Sequence, residues 1–217
     1  MNKKIVKIEF HSFWHIGTGR GTGVGVDSLQ FVDVDNLPVW PGKSLKGVFR
    51  DAFAKAVELD SLPHTDEELK VLFGPAVQSN VDEVSTNGTV QIRFQKEVGA
   101  FRFSDACMAT SERMPVVSAW ARDKKNKKMV EFLYTDVANI RLNEQGITED
   151  GSLRIIRLTK PLTLFAEIEF VDNNMTMQDP MTKERAFDRL ERMFPLIRLA
   201  GASRTRGLGR LTVQFHS

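Results

Sequence analysis

The sequence predicts an α+β fold in which an antiparallel sheet is backed by two main helices. Apolar residues alternate with charged ones near the start, two later stretches carry apolar helical faces, and alternation returns at the end. The order is strand, helix, several strands, long helix and strand. This order matches a split β-α-β, ferredoxin-like core with insertions. The RNA-recognition motif has the same architecture, although its aromatic RNA-binding motifs are missing from this sequence.

The composition is typical of a soluble globular protein. Of the 217 residues, 41% are hydrophobic and 27% are charged, which is enough for a genuine core. No apolar run approaches membrane-spanning length, and the alternating start is typical of a strand and not of a signal peptide, so we expect no membrane contact. Cys107 is the only cysteine. We therefore expect a cytoplasmic protein with no internal disulfide and no zinc.

The first predicted element is a half-buried strand, because Val6, Ile8 and Phe10 alternate with charged or polar residues. Glycine then occupies every second position from 17 to 25, which predicts a loop or an extended strip that another group approaches closely. The strip does not match the dinucleotide-binding fingerprint, because Thr22 stands where that motif needs glycine.

The second predicted element is a helix that begins near residues 41–44. Its apolar face recurs at helical spacing and comprises Leu45, Val48, Phe49, Ala52, Phe53 and Ala56. Lys46 and Arg50 lie one turn apart on another face, and the free N–H groups of the helix start are suited to a phosphate. Nucleotide hydrolysis is rejected, because Leu37 stands where a P-loop needs glycine.

The middle of the chain predicts several shorter elements. Residues 66–73 predict a second helix, 77–88 a loop, and 90–94 and 100–103 two strands. Residues 113–151 lack sustained periodicity and are our candidate for a projecting, mobile insertion.

The last third predicts the rest of the core. Residues 153–158 and 164–171 have strand character, 186–197 carry a long amphipathic helical pattern, and 211–215 alternate as a closing strand. We find no internal repeat and no low-complexity linker. The sequence therefore predicts a single domain over residues 1–217.

Charge is segregated along the chain, although the net charge is only +2. Basic residues cluster at 43–50, 122–128, 154–160 and 204–210, and acidic residues concentrate elsewhere. The segregation favours a polyanionic partner. The alternative is a set of solvated faces, which is the favoured interpretation of the lysine run at 124–128.

The loop at 201–210, between the predicted long helix and the closing strand, contains three glycines and three arginines. Glycine permits close approach of the backbone and positive φ angles, and arginine presents a fork that matches phosphate. The pattern therefore predicts a grip on a nucleic-acid backbone, with a solvated turn as the alternative.

Loop carboxylates are the candidates for catalysis. Asp33 and Asp35 precede Leu37-Pro38, and we favour turn formation for both, since aspartate commonly caps its own backbone in loops. Asp27 follows the glycine strip. For Asp27 two interpretations stay open, namely turn formation and a role in holding a divalent metal or activating a ribose hydroxyl.

His11 and His15 lie on the same face if the first strand continues to residue 15. Two histidines on one face could bind a metal ion or act as an acid–base pair. A structural role is favoured, because zinc would need a third ligand and none is near in the sequence. Cys107 is interpreted as a small buried hydrophobe.

Five motifs occur together in the order typical of one protein family. They are His15-Ile-Gly17, Gly25-Val-Asp-Ser28, Leu37-Pro-Val-Trp-Pro-Gly-Lys-Ser-Leu-Lys-Gly-Val-Phe-Arg50, Asp150-Gly-Ser-Leu-Arg154 and Gly201-Ala-Ser-Arg-Thr-Arg-Gly-Leu-Gly-Arg210. Nearly end to end, the chain resembles the RAMP superfamily of CRISPR-associated proteins. It looks most like the repeating backbone subunit of type III CRISPR effector complexes.

The resemblance implies a function and a set of partners. Such subunits have a ferredoxin-like palm and a thumb-like hairpin, here expected within about 113–151. Copies stack along a guide RNA beside other type III subunits, and the thumb displaces a base pair of the guide–target duplex at regular intervals. The target RNA is then cut in a reaction that depends on a divalent metal ion, which we expect to be Mg²⁺.

The resemblance also assigns roles to residues. Asp27 stands where the family's catalytic, metal-supporting aspartate stands. Ser44, Lys46 and Arg50 match the grip on the guide backbone, with Lys43 where the family often has serine, and Arg204 and Arg206 lie in the matching glycine loop. The chain is thus expected to be an RNA-binding endoribonuclease subunit. The alternatives are a catalytically silent structural paralogue and, less favoured, a guide-processing nuclease.

Overall fold

The computed structural model describes residues 2–19, 28–59, 63–75, 98–140, 143, 145–148, 152–172 and 181–216. Within them, six strands are β1 (Lys3–Phe10), β2 (Phe101–Phe103), β3 (Tyr134–Asn139), β4 (Arg154–Thr159), β5 (Thr163–Phe170) and β6 (Leu211–Phe215). Five α-helices are α1 (Gly42–Glu58), α2 (Asp66–Phe73), α3 (Met114–Arg122), α4 (Lys127–Glu131) and α5 (Lys183–Arg192). None of these described helices is both long enough and apolar enough to cross a membrane.

Four strands form an antiparallel sheet in the order β2-β5-β1-β6. In the register, Ile8 of β1 lies between Leu164 of β5 and Val213 of β6. Strand β1, helix α1 and strand β2 thus form a split β-α-β unit, with β5 inserted between the two strands. This is the ferredoxin-like arrangement that the order of sequence patterns predicts, and the prediction is confirmed.

The core lies between the sheet and its helices. Strand β1 buries every second residue, and α1 buries Leu45, Phe49 and Phe53 completely. Phenylalanine rings from several elements meet edge to face; Phe49 contacts Phe194 at a centroid distance of 6.1 Å. Each large apolar side chain buried in this way stabilises the fold by about 1.5–3 kcal/mol.

A buried carboxylate joins α2 to α5. The Glu68 side chain is only 1% exposed, and it accepts hydrogen bonds from Arg185 Nη2 at 2.7 Å and from Arg189 Nε at 3.1 Å. Thr65 caps the start of α2 by accepting a hydrogen bond from Glu68 N. The helix therefore begins and ends where the pattern at 66–73 predicts.

The segment predicted to be an insertion without regular structure contains α3, α4 and β3 in its described part. Strand β3 pairs with β4 as a separate two-stranded sheet. Leu37, Ala121 and Val130 form a second small core beneath the two helices. The helices are too short, at nine and five residues, to show a sustained apolar period in the sequence. Their role as a thumb stays a prediction.

Three further predictions meet different outcomes. The helix predicted to reach Ile197 ends at Arg192, and residues 194–196 form a 3-10 turn, because Pro195 lacks the N–H that an α-helix would need there. The loop predicted at 77–88 and the strand predicted at 90–94 lie outside the described residues.

Candidate nucleic-acid interface

The glycine–arginine loop, residues 201–210, has a backbone that only glycine fits at two positions. Gly201 and Gly209 have φ angles of 84° and 72°. A Cβ atom on Gly209 would overlap the carbonyl oxygen of Ala200, and one on Gly201 would overlap that of His15. The loop therefore lies directly against its neighbours, as the glycine pattern predicts.

Backbone hydrogen bonds fasten this loop to the segment that follows β1. Ala202 N donates to His15 O at 2.9 Å, and Gly209 N donates to Phe13 O at 2.8 Å. Arg210 N donates to Ser12 Oγ at 2.9 Å. Between these points a 3-10 turn, Arg204–Arg206, presents its side chains at the surface of the protein.

The two arginines of the turn carry charge that the described residues do not neutralise. Arg204 and Arg206 are exposed, and within the described part of the chain neither side chain has a hydrogen-bond or ion-pair partner. Some other arginines are paired; Arg157 Nε, for example, lies 2.8 Å from Asp136 Oδ1. Two unpaired guanidinium groups on a turn whose flanks are held by backbone hydrogen bonds are suited to phosphate.

His15 lies beneath the loop and is 3% exposed. Its Nδ1 lies 2.7 Å from Arg157 O, and a carbonyl oxygen can only accept, so Nδ1 carries the proton. In the neutral ring Nε2 then accepts a hydrogen bond from Ser28 Oγ at 2.8 Å. His15 thus has the structural role that its context favours, whereas His11 is exposed and contacts Thr212 Oγ1 at 2.9 Å.

The position of Ser28 bears on Asp27, the predicted catalytic and metal-binding residue. Asp27 itself lies outside the described residues. Ser28, which follows it directly, is held by His15 and forms a bridge with Ile156 of β4. The chain immediately after Asp27 therefore shares His15 as a neighbour with the glycine–arginine loop.

The start of α1 has a carboxylate partner. Gly42 N donates to Asp105 Oδ1 at 2.7 Å, so one of the N–H groups expected to receive phosphate is already engaged. Lys43 and Ser44 are exposed in the first turn, and Ser44 Oγ accepts a hydrogen bond from Trp40 Nε1. The loop at 201–210 and the α1 start are fastened to different parts of the chain, residues 12–16 and 104–106 respectively.

Lys46 and Arg50 are half-buried and both contact backbone carbonyls. Lys46 Nζ donates to Phe101 O at 2.8 Å, and Arg50 donates to Gly74 O. Burial, and secondarily the charge of Arg50, lowers the pKa of Lys46. The two cations therefore tie α1 to β2 and to the end of α2, and only their remaining N–H groups are left for a further partner.

Asp33 and Asp35 form a turn, as the sequence indicates. Asp33 Oδ1 accepts hydrogen bonds from Asp35 N and Leu37 N at 2.8 and 2.9 Å. Asp35 in turn binds Arg122 of α3 at 2.7 Å, and that hydrogen bond lowers the pKa of Asp35. No sequence signal reveals this ion pair, because its partners are far apart in the chain.

No group of three histidine, cysteine, aspartate or glutamate side chains that would suit a metal ion occurs among the described residues. Mg²⁺, however, is commonly held by one or two carboxylates together with phosphate oxygens of the substrate. Asp27 together with RNA phosphates would supply oxygen ligands of that kind. The described side chains alone do not supply a metal site.

Comparison with known proteins identifies the family. The model of the RAMP superfamily matches residues 7–212. The chain belongs to the RAMP superfamily. The match runs from within β1 to the start of β6, so the glycine–arginine loop and residues 12–16 lie inside the matched RAMP domain.

Two solved structures are similar to this RAMP protein. One is a chain in the cryo-EM structure of the type III-B Cmr-beta bound to cognate target RNA, with a TM-score of 0.67 and 10% identity over 98% of this chain and 96% of the other. The second is from the apo state of type III-B Cmr-beta, with a TM-score of 0.63 and 11% identity over the same shares. At such identities the likeness establishes the fold. No curated protein sequence matches the chain.

Proposed function

We propose that this RAMP protein is a backbone subunit of a type III CRISPR effector complex. It binds guide RNA along its backbone and cleaves complementary target RNA at regular intervals. The observation that carries the proposal is the exposed turn with Arg204 and Arg206 unneutralised by described residues, within a RAMP domain. The fold shared with chains of type III-B Cmr-beta, in one case bound to target RNA, supports the choice of complex.

The glycine–arginine loop supplies affinity without reading sequence. Arginine forks contact phosphate oxygens, and such contacts position a protein on RNA but carry no base information. Sequence is then read by base pairing between guide and target, as in other RNA-guided effectors. A protein of this kind needs a repeating cationic surface and no base-specific pocket for the guide.

The start of α1 supplies a second set of contacts to the guide backbone. Lys43 and Ser44 are exposed there, and Lys46 and Arg50 keep N–H groups beyond those bonded to Phe101 and Gly74. Contact with a phosphate requires displacement of the Asp105 carboxylate from Gly42 N or approach beside it. The arginine turn has no such competitor among the described residues and is the stronger of the two contacts.

Cutting is assigned to Asp27. Ser28, its neighbour, is anchored through His15 to Arg157 O, so the backbone beside Asp27 has a fixed support. A bound divalent ion supplies charge stabilisation at the phosphate that is attacked. His15 holds Ser28, the residue that follows Asp27, and also contacts the glycine–arginine loop that would hold the RNA.

The guide-processing alternative, which would use His11 or His15, loses one of these two histidines, while His11 is exposed and stays available to it. Both ring nitrogens of His15 are engaged and the side chain is 3% exposed, so it has no free nitrogen for acid–base work. A catalytically silent paralogue is the second candidate function.

The experiment is the substitution Asp27→Ala in the assembled complex, followed by gel analysis of target RNA. We expect loss of cuts at regular intervals with target binding retained. The control is Asp51→Ala, which removes an exposed carboxylate of α1. Unchanged cleavage in D27A would assign the cutting to another residue or subunit. Absence of metal-dependent cleavage in the unaltered complex would favour the silent paralogue.

A further inference from the structure

A groove of about 690 Å³ lies beside β6, which is an edge strand of the four-stranded sheet. Its apolar wall comes from the 3-10 turn that follows α5, from the segment after that turn and from β6, and comprises Phe194, Pro195, Ile197, Leu199, Leu211 and Val213. Gly207 and Arg210 of the glycine–arginine loop also line the groove, but Arg204 and Arg206 do not. The groove is therefore a neighbour of the arginine turn and not a part of it.

Alternate residues of β6 turn their backbone groups away from β1. At the two ends of the ladder, His11 N donates to Arg210 O and His216 N donates to Ile5 O. The even-numbered residues of β6 therefore bond to β1 across the register. In an antiparallel pair, the residues between them point their N–H and C=O groups to the opposite side. These outward-facing residues are Leu211, Val213 and Phe215.

The outward side of β6 is paired only at its first residue. Leu211 N donates to Arg198 O at 3.0 Å, so residues 198–200 continue the sheet for a short distance. No described residue bonds to the outward N–H and C=O groups of Val213 and Phe215. Both side chains are half-buried. Two consecutive outward-facing positions of β6 are therefore open to a further strand.

The opposite edge of the sheet is protected. Lys46 Nζ donates to Phe101 O of β2, and Ala100 N, directly before β2, donates to Val71 O of α2. Natural strand edges are commonly covered in this way, or they carry charged residues or proline that discourage pairing. Strand β6, with the sequence Leu-Thr-Val-Gln-Phe, contains no charged residue and no proline. Its edge thus lacks the usual protection.

The charge at the groove is positive. Arg198 and Arg210 line it, both are exposed, and neither has an ion-pair partner in the described part of the chain. Arg198 Nε donates to Pro195 O at 3.0 Å, which holds this side chain beside the groove. His11 also lines the groove, and none of the described residues that line it is acidic. The groove is therefore complementary to a partner that carries carboxylates.

An extended polypeptide matches all of these features. Its backbone presents donors and acceptors at the spacing of a strand, and addition of a strand to a free sheet edge is a recurrent mode of peptide recognition. The phosphates of RNA would also neutralise Arg198 and Arg210. Phosphate oxygens, however, cannot donate to the carbonyl oxygen of Val213, and they would leave the apolar wall uncovered.

We propose that the edge of β6 and the adjoining groove bind an extended, acidic segment of another protein by strand addition. The segment pairs with the outward groups of Val213 and Phe215, and its apolar side chains cover Leu199 and the side chain of Val213. Its carboxylates contact Arg198 and Arg210. This inference goes beyond RNA binding by the arginine turn and does not depend on it.

The first experiment measures binding of labelled peptides to the full chain, without RNA, by fluorescence anisotropy up to about 1 mM protein. The probe is the acetylated and amidated peptide Glu-Val-Thr-Val-Glu-Val-Thr, and its counterpart has lysine in place of glutamate. We expect the acidic peptide to bind about tenfold more tightly, because two contacts change from attraction to repulsion in the counterpart. Arg198→Gln with Arg210→Gln should remove this preference. Arg192→Gln, outside the groove, is the matched control and should keep it.

The second experiment tests strand addition itself. Two versions of the acidic peptide carry N-methyl groups on one or the other set of alternate residues. Only one set can face β6, so one version should lose binding and the other should keep it. Val213→Pro removes an N–H that faces away from β1, as proline on an edge strand does, and should abolish binding of the unmodified peptide. Circular dichroism checks the fold of this variant, and the methylated peptides give the same test on the wild type.

The outcomes decide between a peptide and an RNA partner. Absence of binding of the acidic peptide, equal binding of the acidic and basic peptides, or equal effects of the two methylation patterns would overturn the proposal. Loss of RNA affinity in the variant with Arg198→Gln and Arg210→Gln, without peptide binding to the wild type, would assign the groove to RNA instead. The proposed function is tested separately, through Arg204 and Arg206, which do not line the groove.

Discussion

The arginine turn of the glycine–arginine loop leads to the prediction that we develop furthest. The perturbation is the double substitution Arg204→Gln and Arg206→Gln, which removes two charges and leaves shorter side chains that are still polar. Both residues are exposed and neither holds the fold through a described partner, so we expect the folded structure to be retained. The loop itself is held by backbone hydrogen bonds that the substitutions leave in place.

The magnitude follows from counterion release. Each phosphate contact on single-stranded RNA contributes about 0.7 to the slope of log K against log salt concentration. Two lost contacts therefore reduce the slope by about 1.4. The ratio of the wild-type binding constant to that of the double variant should then fall about sevenfold as salt rises from about 50 to about 200 mM.

The assay is fluorescence anisotropy with a labelled single-stranded RNA over that range of salt. The matched control is Arg192→Gln, since Arg192 is also exposed but is paired with Asp188 at 2.8 Å. We expect the slope of the control to equal that of the wild type. Equal slopes in the double variant and the wild type would refute the reasoning, because they would mean that neither arginine contacts phosphate.

Three further predictions concern the fold and its support of the loop. Gly209→Ala should displace the loop, because its Cβ would overlap Ala200 O, and RNA affinity should fall to that of the double arginine variant. Glu68→Ala should cost about 3 kcal/mol in urea unfolding, whereas exposed Glu67→Ala should cost little. Burial lowers the pKa of His64, so stability should fall as the pH drops below about 6.5, and His64→Gln should flatten that decline.

Much of the fold could be predicted from the sequence because its patterns are long. Strand β1 and helix α1 carry apolar residues at clear periods of two and about 3.6, and both occur where predicted. Helix α2 has the predicted bounds, since Thr65 and Gly74 mark its two ends. The sequence does not predict the helices α3 and α4. Each buries only one residue, so no apolar repeat of about 3.6 residues develops.

Part of the candidate site could be predicted from the sequence and part could not. The glycine–arginine loop could be predicted, because its glycines and arginines are adjacent in the chain. The carboxylate of Asp105 at the start of α1 and the hydrogen bond from Lys46 to Phe101 could not, because each joins residues more than 50 positions apart. Only the folded chain shows that these groups meet.

The most direct test of the central claim is to isolate the complex that contains this chain and to sequence its RNA. We expect the chain to co-purify with other effector subunits and with guide RNAs. The double substitution of Arg204 and Arg206 should reduce the amount of RNA recovered, and Arg192→Gln should not. Recovery of the chain without RNA, or with an unselected mixture of cellular RNAs, would contradict the account.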